Sequence, residues 1–133
     1  ENNIAKMGAT CVKTMQADAM NVHFDFLFDK ILIDAPCSGL GVLRHKPDLK
    51  YQMTLEKIAS IKKTQEQILE NMSKYVKPNG VLVYSTCTIN KEENEDMIQQ
   101  FLFKHPSFQK EKEIRVFPSS KEDGFYICRL RGY

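Results

Sequence analysis

The 133-residue chain is long enough for one domain built round one hydrophobic core. With 42% apolar and 27% charged residues it is not a disordered sequence, and no apolar run approaches the roughly 20 residues that a bilayer span requires. A net charge of +2 does not by itself mark a nucleic-acid binder, and without a charged-then-apolar leader the default location is cytoplasmic.

Residues 1–8 read as the end of a helix stopped by Gly8, so the chain opens in mid-element. Cys11-Val12-Lys13-Thr14-Met15-Gln16 reads as a short strand ending at Asp18. Residues 20–29 read as a loop whose Phe24, Phe26, Leu27 and Phe28 pack on the core. Strand 30–34 follows, with Ile31-Leu32-Ile33 as a buried run that stops abruptly at Asp34-Ala35-Pro36-Cys37-Ser38-Gly39. A carboxylate and a thiol thus sit where open α/β sheets bind ligands, outside the carboxyl ends of the strands. Residues 38–53 form a long loop, a length that is often functional, and Arg44-His45-Lys46 and Lys50 make it basic.

Thr54 caps a helix reaching about Val76, with Leu55, Ile58, Ile61, Ile68, Leu69, Met72 and Val76 as its apolar stripe. Pro78-Asn79-Gly80 turns the chain into strand 81–86, which ends at Cys87. Asn90 caps a second helix, 91–104, with Glu93 in the capping-box position. Glu92, Glu93, Glu95 and Asp96 crowd its first turns, where the helix dipole favours negative charge, and each is assigned that structural role. Met97, Ile98, Phe101 and Leu102 give its buried face, and His105 ends it as an ordinary helix residue rather than a ligand. Two strands, 114–117 and 125–130, close the chain round a turn at Lys121-Glu122-Asp123-Gly124.

This is an α/β layer pattern, and a right-handed crossover makes strands 30–34 and 81–86 parallel neighbours. Cys37 and Cys87 then face one pocket. The position of Cys87 just before a helix N-terminus is expected to lower its pKa. No cysteine pair has CxxC spacing, so no metal site is indicated and the four cysteines are expected as free thiols. Cys11 and Cys128 lie in apolar runs and read as small buried residues.

Asp34-Ala35-Pro36-Cys37-Ser38-Gly39-Leu40-Gly41, with Arg44 and Pro47-Asp48, resembles motif IV of the Sun (RsmB-type) RNA 5-methylcytosine methyltransferases. Tyr84-Ser85-Thr86-Cys87-Thr88, followed by Glu92-Glu93-Asn94, resembles their motif VI. Gln65-Glu66-Gln67-Ile68-Leu69 and Asp123-Gly124-Phe125-Tyr126 are similar to two further family stretches. The resemblance covers nearly the whole chain and is more specific than any lone short motif. It implies a Rossmann-like, class I S-adenosylmethionine-dependent methyltransferase fold, of which this is the C-terminal part, strands 3 to 7. It also implies Cys87 as the nucleophile on carbon 6 of cytosine, with Cys37 assisting proton removal or release. Asp18 and Asp34 are implied to bind S-adenosylmethionine. Asp34, Pro36, Arg44 and Lys46 are implied to bind the RNA, although loop 38–53 also reads as a merely solvated basic loop.

The family's glycine-rich cofactor loop, its acid after the second strand and its N-terminal RNA-binding region have no match here. The expectation is a partial catalytic domain over 1–133 that lacks the first two strands and methylates nothing alone. In the family's strand order, 3-2-1-4-5-7-6, strand 11–17 then has no partner. Residues 1–20 are expected to be displaced, mobile or paired with another chain, as in a strand-swapped dimer. Small-subunit (16S) ribosomal RNA is the substrate the resemblance favours, with transfer RNA as the alternative. Two other readings stay open: Cys37 as nucleophile, as in the Pro-Cys motif of DNA cytosine methyltransferases, and a non-catalytic RNA-binding domain.

Overall fold

The computed structural model describes residues 11–39, 54–119 and 123–133. Its elements run β1 (Phe28–Asp34), α1 (Leu55–Ser73), β2 (Val76–Thr86), a 3₁₀ turn (Lys91–Glu93), α2 (Glu95–Lys104), β3 (Phe108–Val116) and β4 (Phe125–Gly132). The strands form one sheet in the order β1-β2-β4-β3. β1 and β2 are parallel, and β4 runs antiparallel to both of its neighbours. This is strand for strand the 4-5-7-6 half of the expected order. The helix end at 1–8, most of loop 38–53 with Arg44 and Lys46, and the first half of turn 121–124 lie outside the described residues.

The sheet packs one face on the helices. Ile31, Ile33, Leu82, Tyr84, Cys128 and Leu130 are buried with Ile68 and Leu69 of α1 and Met97, Ile98 and Phe101 of α2. In register Ile31 faces Leu82 and Ile33 faces Tyr84, so the side chains of one pleat line up across the strands. Leu32 points the other way and is 69% exposed, so the apolar run of β1 is covered on one side only.

Several expectations are corrected. Residues 11–17 belong to no strand of the sheet and are exposed. A strand exists through its hydrogen bonds to a neighbour, and among the described residues β1 is an edge strand on that side. Cys11 is accordingly exposed, whereas Cys128, inside β4, is buried as expected. Thr54 caps α1, its Oγ1 accepting from Lys57 N at 3.1 Å, but the helix ends at Ser73 and Val76 already belongs to β2. Leu55, placed in the apolar stripe, is 87% exposed. Phe24 and Phe28 pack on the core as expected, but Phe26 and Leu27 are exposed.

Pro78-Asn79-Gly80 is a bulge inside β2 rather than a turn before it. Phe28 pairs with Val76 and Lys30 with Val81, so Asp29 alone faces Lys77 to Gly80. Asn79 carries the positive φ of 66° that the bulge requires. Gly80 is needed for close approach: a Cβ there would lie 2.8 Å from the Lys77 carbonyl oxygen and 2.9 Å from that of Asp29. Both contacts are backbone and cannot swing away. Gly80→Ala is expected to destabilise the chain by about 1–3 kcal/mol, and an unchanged denaturant midpoint would contradict this account of the bulge.

Candidate active site

The pairing of β1 with β2 delivers the two cysteines. Asp34 stands opposite Ser85, and Ala35 N donates to the Ser85 carbonyl at 2.9 Å, carrying the ladder one residue past β1. Both strands end here, and Cys37 Sγ lies 3.0 Å from Cys87 Sγ. Cys87 N also donates to Cys37 Sγ at 3.4 Å.

Each cysteine is flanked by anchored residues. Gln65, in the middle of α1, donates Nε2 to the Pro36 carbonyl at 2.7 Å. Ser38 is tied twice to Glu93, by its backbone N–H (2.9 Å, to Oε1) and by its hydroxyl (2.7 Å, to Oε2). Gly39 then turns the chain away with a φ of 74°, a conformation glycine adopts without a Cβ penalty. On the other loop Thr86 donates to Asn94 Oδ1 at 2.6 Å, and Asn94 Nδ2 donates to the Thr88 carbonyl at 2.9 Å. Thr86 and Thr88 are buried while Cys87 between them is exposed. The site is thus a rigid frame with one solvent-facing thiol.

The two thiols are not equivalent. The hydrogen bond with Cys87, and after it burial, push the Cys37 thiol far above the ordinary range. The same bond lowers Cys87 to about 7, against the opposing effects of burial and of the Asp34 and Glu93 carboxylates. Of the pair, Cys87 is thus the thiol biased toward the thiolate and Cys37 the one biased toward keeping its proton. The cause differs from the expected one, because it is the neighbouring thiol that ranks first. α2 itself begins only at Glu95, beyond the intervening 3₁₀ turn.

Of the residues singled out in the sequence, Asp34, Pro36, Cys37 and Cys87 come together. Asp34 is exposed at the strand end, with Ser85 Oγ donating to its Oδ1 at 3.4 Å. Asp18 sits elsewhere, closing its own turn by accepting from Met20 N at 2.9 Å. That turn is tied to α1 by Asn71, whose Nδ2 donates to the carbonyls of Ala19 and Val22, each at 3.0 Å. Arg44 and Lys46 lie outside the described residues.

Sequence reasoning missed the groups beneath the thiols. Glu93 was assigned to the helix dipole, yet it is wholly buried under both loops. Its capping-box contact exists, with Asn90 Nδ2 donating to Oε2 at 2.9 Å, but it is one bond of several. Gln65 is likewise wholly buried. The available signal was its place four residues after Ile61 and three before Ile68, a polar side chain on the buried stripe.

A parallel strand pair joined by a helix, followed by an antiparallel hairpin with its site at the strand ends, defines a class I methyltransferase sheet. The chain belongs to the 16S rRNA methyltransferase RsmB/F family, whose model matches residues 1–131. It is 35% identical to the probable ribosomal RNA small subunit methyltransferase B of Bacillus subtilis over 95% of this chain and 33% of that protein. It is 36% identical to ribosomal RNA small subunit methyltransferase F of Vibrio cholerae over 78% of this chain and 26% of that protein. The structure of NSun6 from Pyrococcus horikoshii with SFG superposes at a TM-score of 0.86, with 33% identity, over 98% of this chain and 37% of that one. The chain therefore spans about a third of the length of such relatives.

The unequal thiols make a direct prediction. Alkylation of Cys87 by iodoacetamide is expected to show a midpoint near pH 7, rising toward 9.0 in Cys37→Ala. A Cys37→Ala midpoint that stays at the wild-type value would show that the thiol pair is not the cause. Cys128, which burial pushes up to about 11, is expected to react only on unfolding.

Proposed function

We propose that this chain carries the nucleophile-bearing half of an RNA 5-methylcytosine methyltransferase acting on small-subunit ribosomal RNA. The observation that carries the reading is the Cys37–Cys87 contact at adjacent parallel strand ends, with the exposed thiol lowered to about 7. Family membership supports the substrate class, since the relatives are named as methyltransferases of that RNA.

Carbon 5 of cytosine is a poor nucleophile. Addition of the Cys87 thiolate to carbon 6 turns the ring into an enamine-like species in which carbon 5 is electron-rich. S-adenosylmethionine, when bound, supplies the electrophilic methyl group that carbon 5 requires. After methylation carbon 5 still holds its original proton. Once Cys87 is bonded to carbon 6 it is no longer a thiolate for Cys37 to hydrogen-bond. Cys37, 3.0 Å away, can then release its own proton to solvent and take the carbon 5 proton as its thiolate, so that Cys87 leaves as a thiolate and the aromatic ring returns. The target base must leave any helix it occupies, because carbon 6 is otherwise covered by stacking.

Asp34 is the described residue that fits the cofactor best. It is an exposed carboxylate at the carboxyl end of β1, suited by charge to an α-amino group and, on its other side, to the exocyclic amine of cytosine. Pro36 lies beside the thiols with its carbonyl held by Gln65. Asp18 toward the adenine end, and Arg44 and Lys46 toward phosphate, complete the proposal.

RNA containing 5-fluorocytosine, given with S-adenosylmethionine to the full-length protein, tests the assignment. Once carbon 5 carries both methyl and fluorine it has no proton to lose, Cys87 cannot be expelled and the covalent adduct accumulates. Cys87→Ala is expected to abolish the adduct, while Cys37→Ala still forms it. An adduct that survives Cys87→Ala would move the nucleophile to Cys37. RNA binding unaffected by loss of both thiols, with no adduct in the wild-type full-length protein supplied with S-adenosylmethionine, would favour a non-catalytic RNA-binding domain.

A further inference from the structure

We propose that Glu93 is the positioning residue that holds the Cys37 and Cys87 thiols in contact, acting through Ser38 on one loop and Thr88 and Asn90 on the other. The inference concerns the geometry of the thiol pair, and its bearing on catalysis rests on the methyltransferase reading above.

Glu93 is the group that reaches both loops directly. Its Oε1 accepts from Ser38 N (2.9 Å) and Gln65 Nε2 (3.1 Å). Its Oε2 accepts from Ser38 Oγ (2.7 Å), Asn90 Nδ2 (2.9 Å) and, more weakly, Thr88 Oγ1 (3.4 Å). Ser38 Oγ also lies 2.8 Å from Thr88 Oγ1, so one loop touches the other across the carboxylate. Ser38 directly follows Cys37 and Thr88 directly follows Cys87, so fixing this pair fixes the two thiols.

The network accepts a cost elsewhere, which argues that position is what it secures. Gln65 Oε1 is buried without a partner. Turning the amide over would not relieve it, because that oxygen would then face two acceptors, the Pro36 carbonyl and Glu93 Oε1. Buried polar groups are normally satisfied, and an orphan of this kind calls for a reason. Here the amide's two hydrogens are both committed, one to the peptide before Cys37 and one to Glu93.

A neutral amide cannot take the place of Glu93. Both carboxylate oxygens face N–H donors. An amide nitrogen toward Oε1 would oppose Ser38 N–H and Gln65. Turned toward Oε2 it would oppose Asn90, whose own Oδ1 is already accepting from Glu92 N at 3.1 Å. The isosteric change E93Q is therefore expected to let the Cys37 and Cys87 loops part while preserving volume.

The test uses the full chain and reads the pH dependence of Cys87 alkylation, resolved by mass spectrometry. The charged or titratable groups acting on this thiol are Cys37, Asp34 and Glu93. If Glu93 positions the pair, E93Q loses the Cys37 hydrogen bond and the midpoint climbs from about 7 toward 9.0. At pH 7 that leaves about 50-fold less thiolate. If Glu93 acts only as a nearby negative charge, E93Q moves the midpoint down, and the proposal fails. A lower melting temperature with an unmoved midpoint also overturns it, leaving Glu93 a merely structural residue. S38A removes the hydroxyl link alone and must shift the midpoint in the same direction, so the proposal remains decidable if E93Q does not fold. In the full-length protein supplied with S-adenosylmethionine, adduct formation on 5-fluorocytosine RNA by E93Q is expected to be slow at pH 7 and restored near pH 9. A shifted midpoint in E93Q with no adduct even in the wild-type full-length protein would keep the clamp and discard the methyltransferase reading.

Discussion

A single carboxylate, that of Glu93, sits buried where two strand ends, a helix and a 3₁₀ turn meet. A buried charge is costly unless it is paired or fully hydrogen-bonded. No cation is among its hydrogen-bond partners here. Instead a backbone N–H, two amide side chains and two hydroxyls converge on it. Those donors come from β1's exit loop, from α1 and from the loop after β2, so the charge is stabilised only when all three are in place. The thiol site is therefore assembled with this part of the fold rather than laid on top of it. Further bonds brace the same corner. The Tyr84 hydroxyl donates to the Glu93 carbonyl at 2.7 Å, and Arg115 of β3 holds the Ile89 carbonyl and the Glu95 carboxylate.

The electrostatics of the thiols follow from that assembly. Asp34 and Glu93 both work against a thiolate at Cys87, and so does partial burial. Hydrogen bonding reverses the balance, first from Cys37 and then from the Cys87 backbone. Hydrogen bonds to charged groups are worth about 1.5–3 kcal/mol, roughly twice the neutral kind, which is the scale needed to bring a thiol to about 7. The bias toward a thiolate at Cys87 thus depends on Cys37 keeping its proton.

Local chemistry made much of this legible in the sequence. The strands at Ile31–Ile33 and Val81–Thr86, the Thr54 cap and the crossover that makes the two strands neighbours all rest on patterns confined to a few residues. Cys37 and Cys87 could be placed because strand ends are where an α/β sheet keeps its site. What the sequence hid depends on partners far along the chain. Residues 11–17 have strand-like composition, but pairing decides, and the described sheet offers them none. Glu93 looked like an ordinary first-turn acid because that role needs only local sequence, whereas its bonds to Ser38 and Gln65 span 55 and 28 residues. At Asn79 a bulge and a turn call for the same residues, and only the register of β1 tells them apart.

The exposure of the reactive thiol is itself a consequence of sheet register. Along β2, Leu82, Tyr84 and Thr86 point into the core, and the same alternation continues past the strand end to bury Thr88. Cys87 falls on the opposite phase, as Ser85 does, and Ser85 is paired with Asp34 across the strand gap. A shift of one residue in the pairing would exchange the two faces, sending the thiol inward and a threonine out. The bulge at Lys77 to Gly80 lies just where that register is set, between the Phe28–Val76 and Lys30–Val81 pairs. The close backbone contacts of Gly80, at the far end of the strand, thus help decide which side chain faces solvent at the strand end.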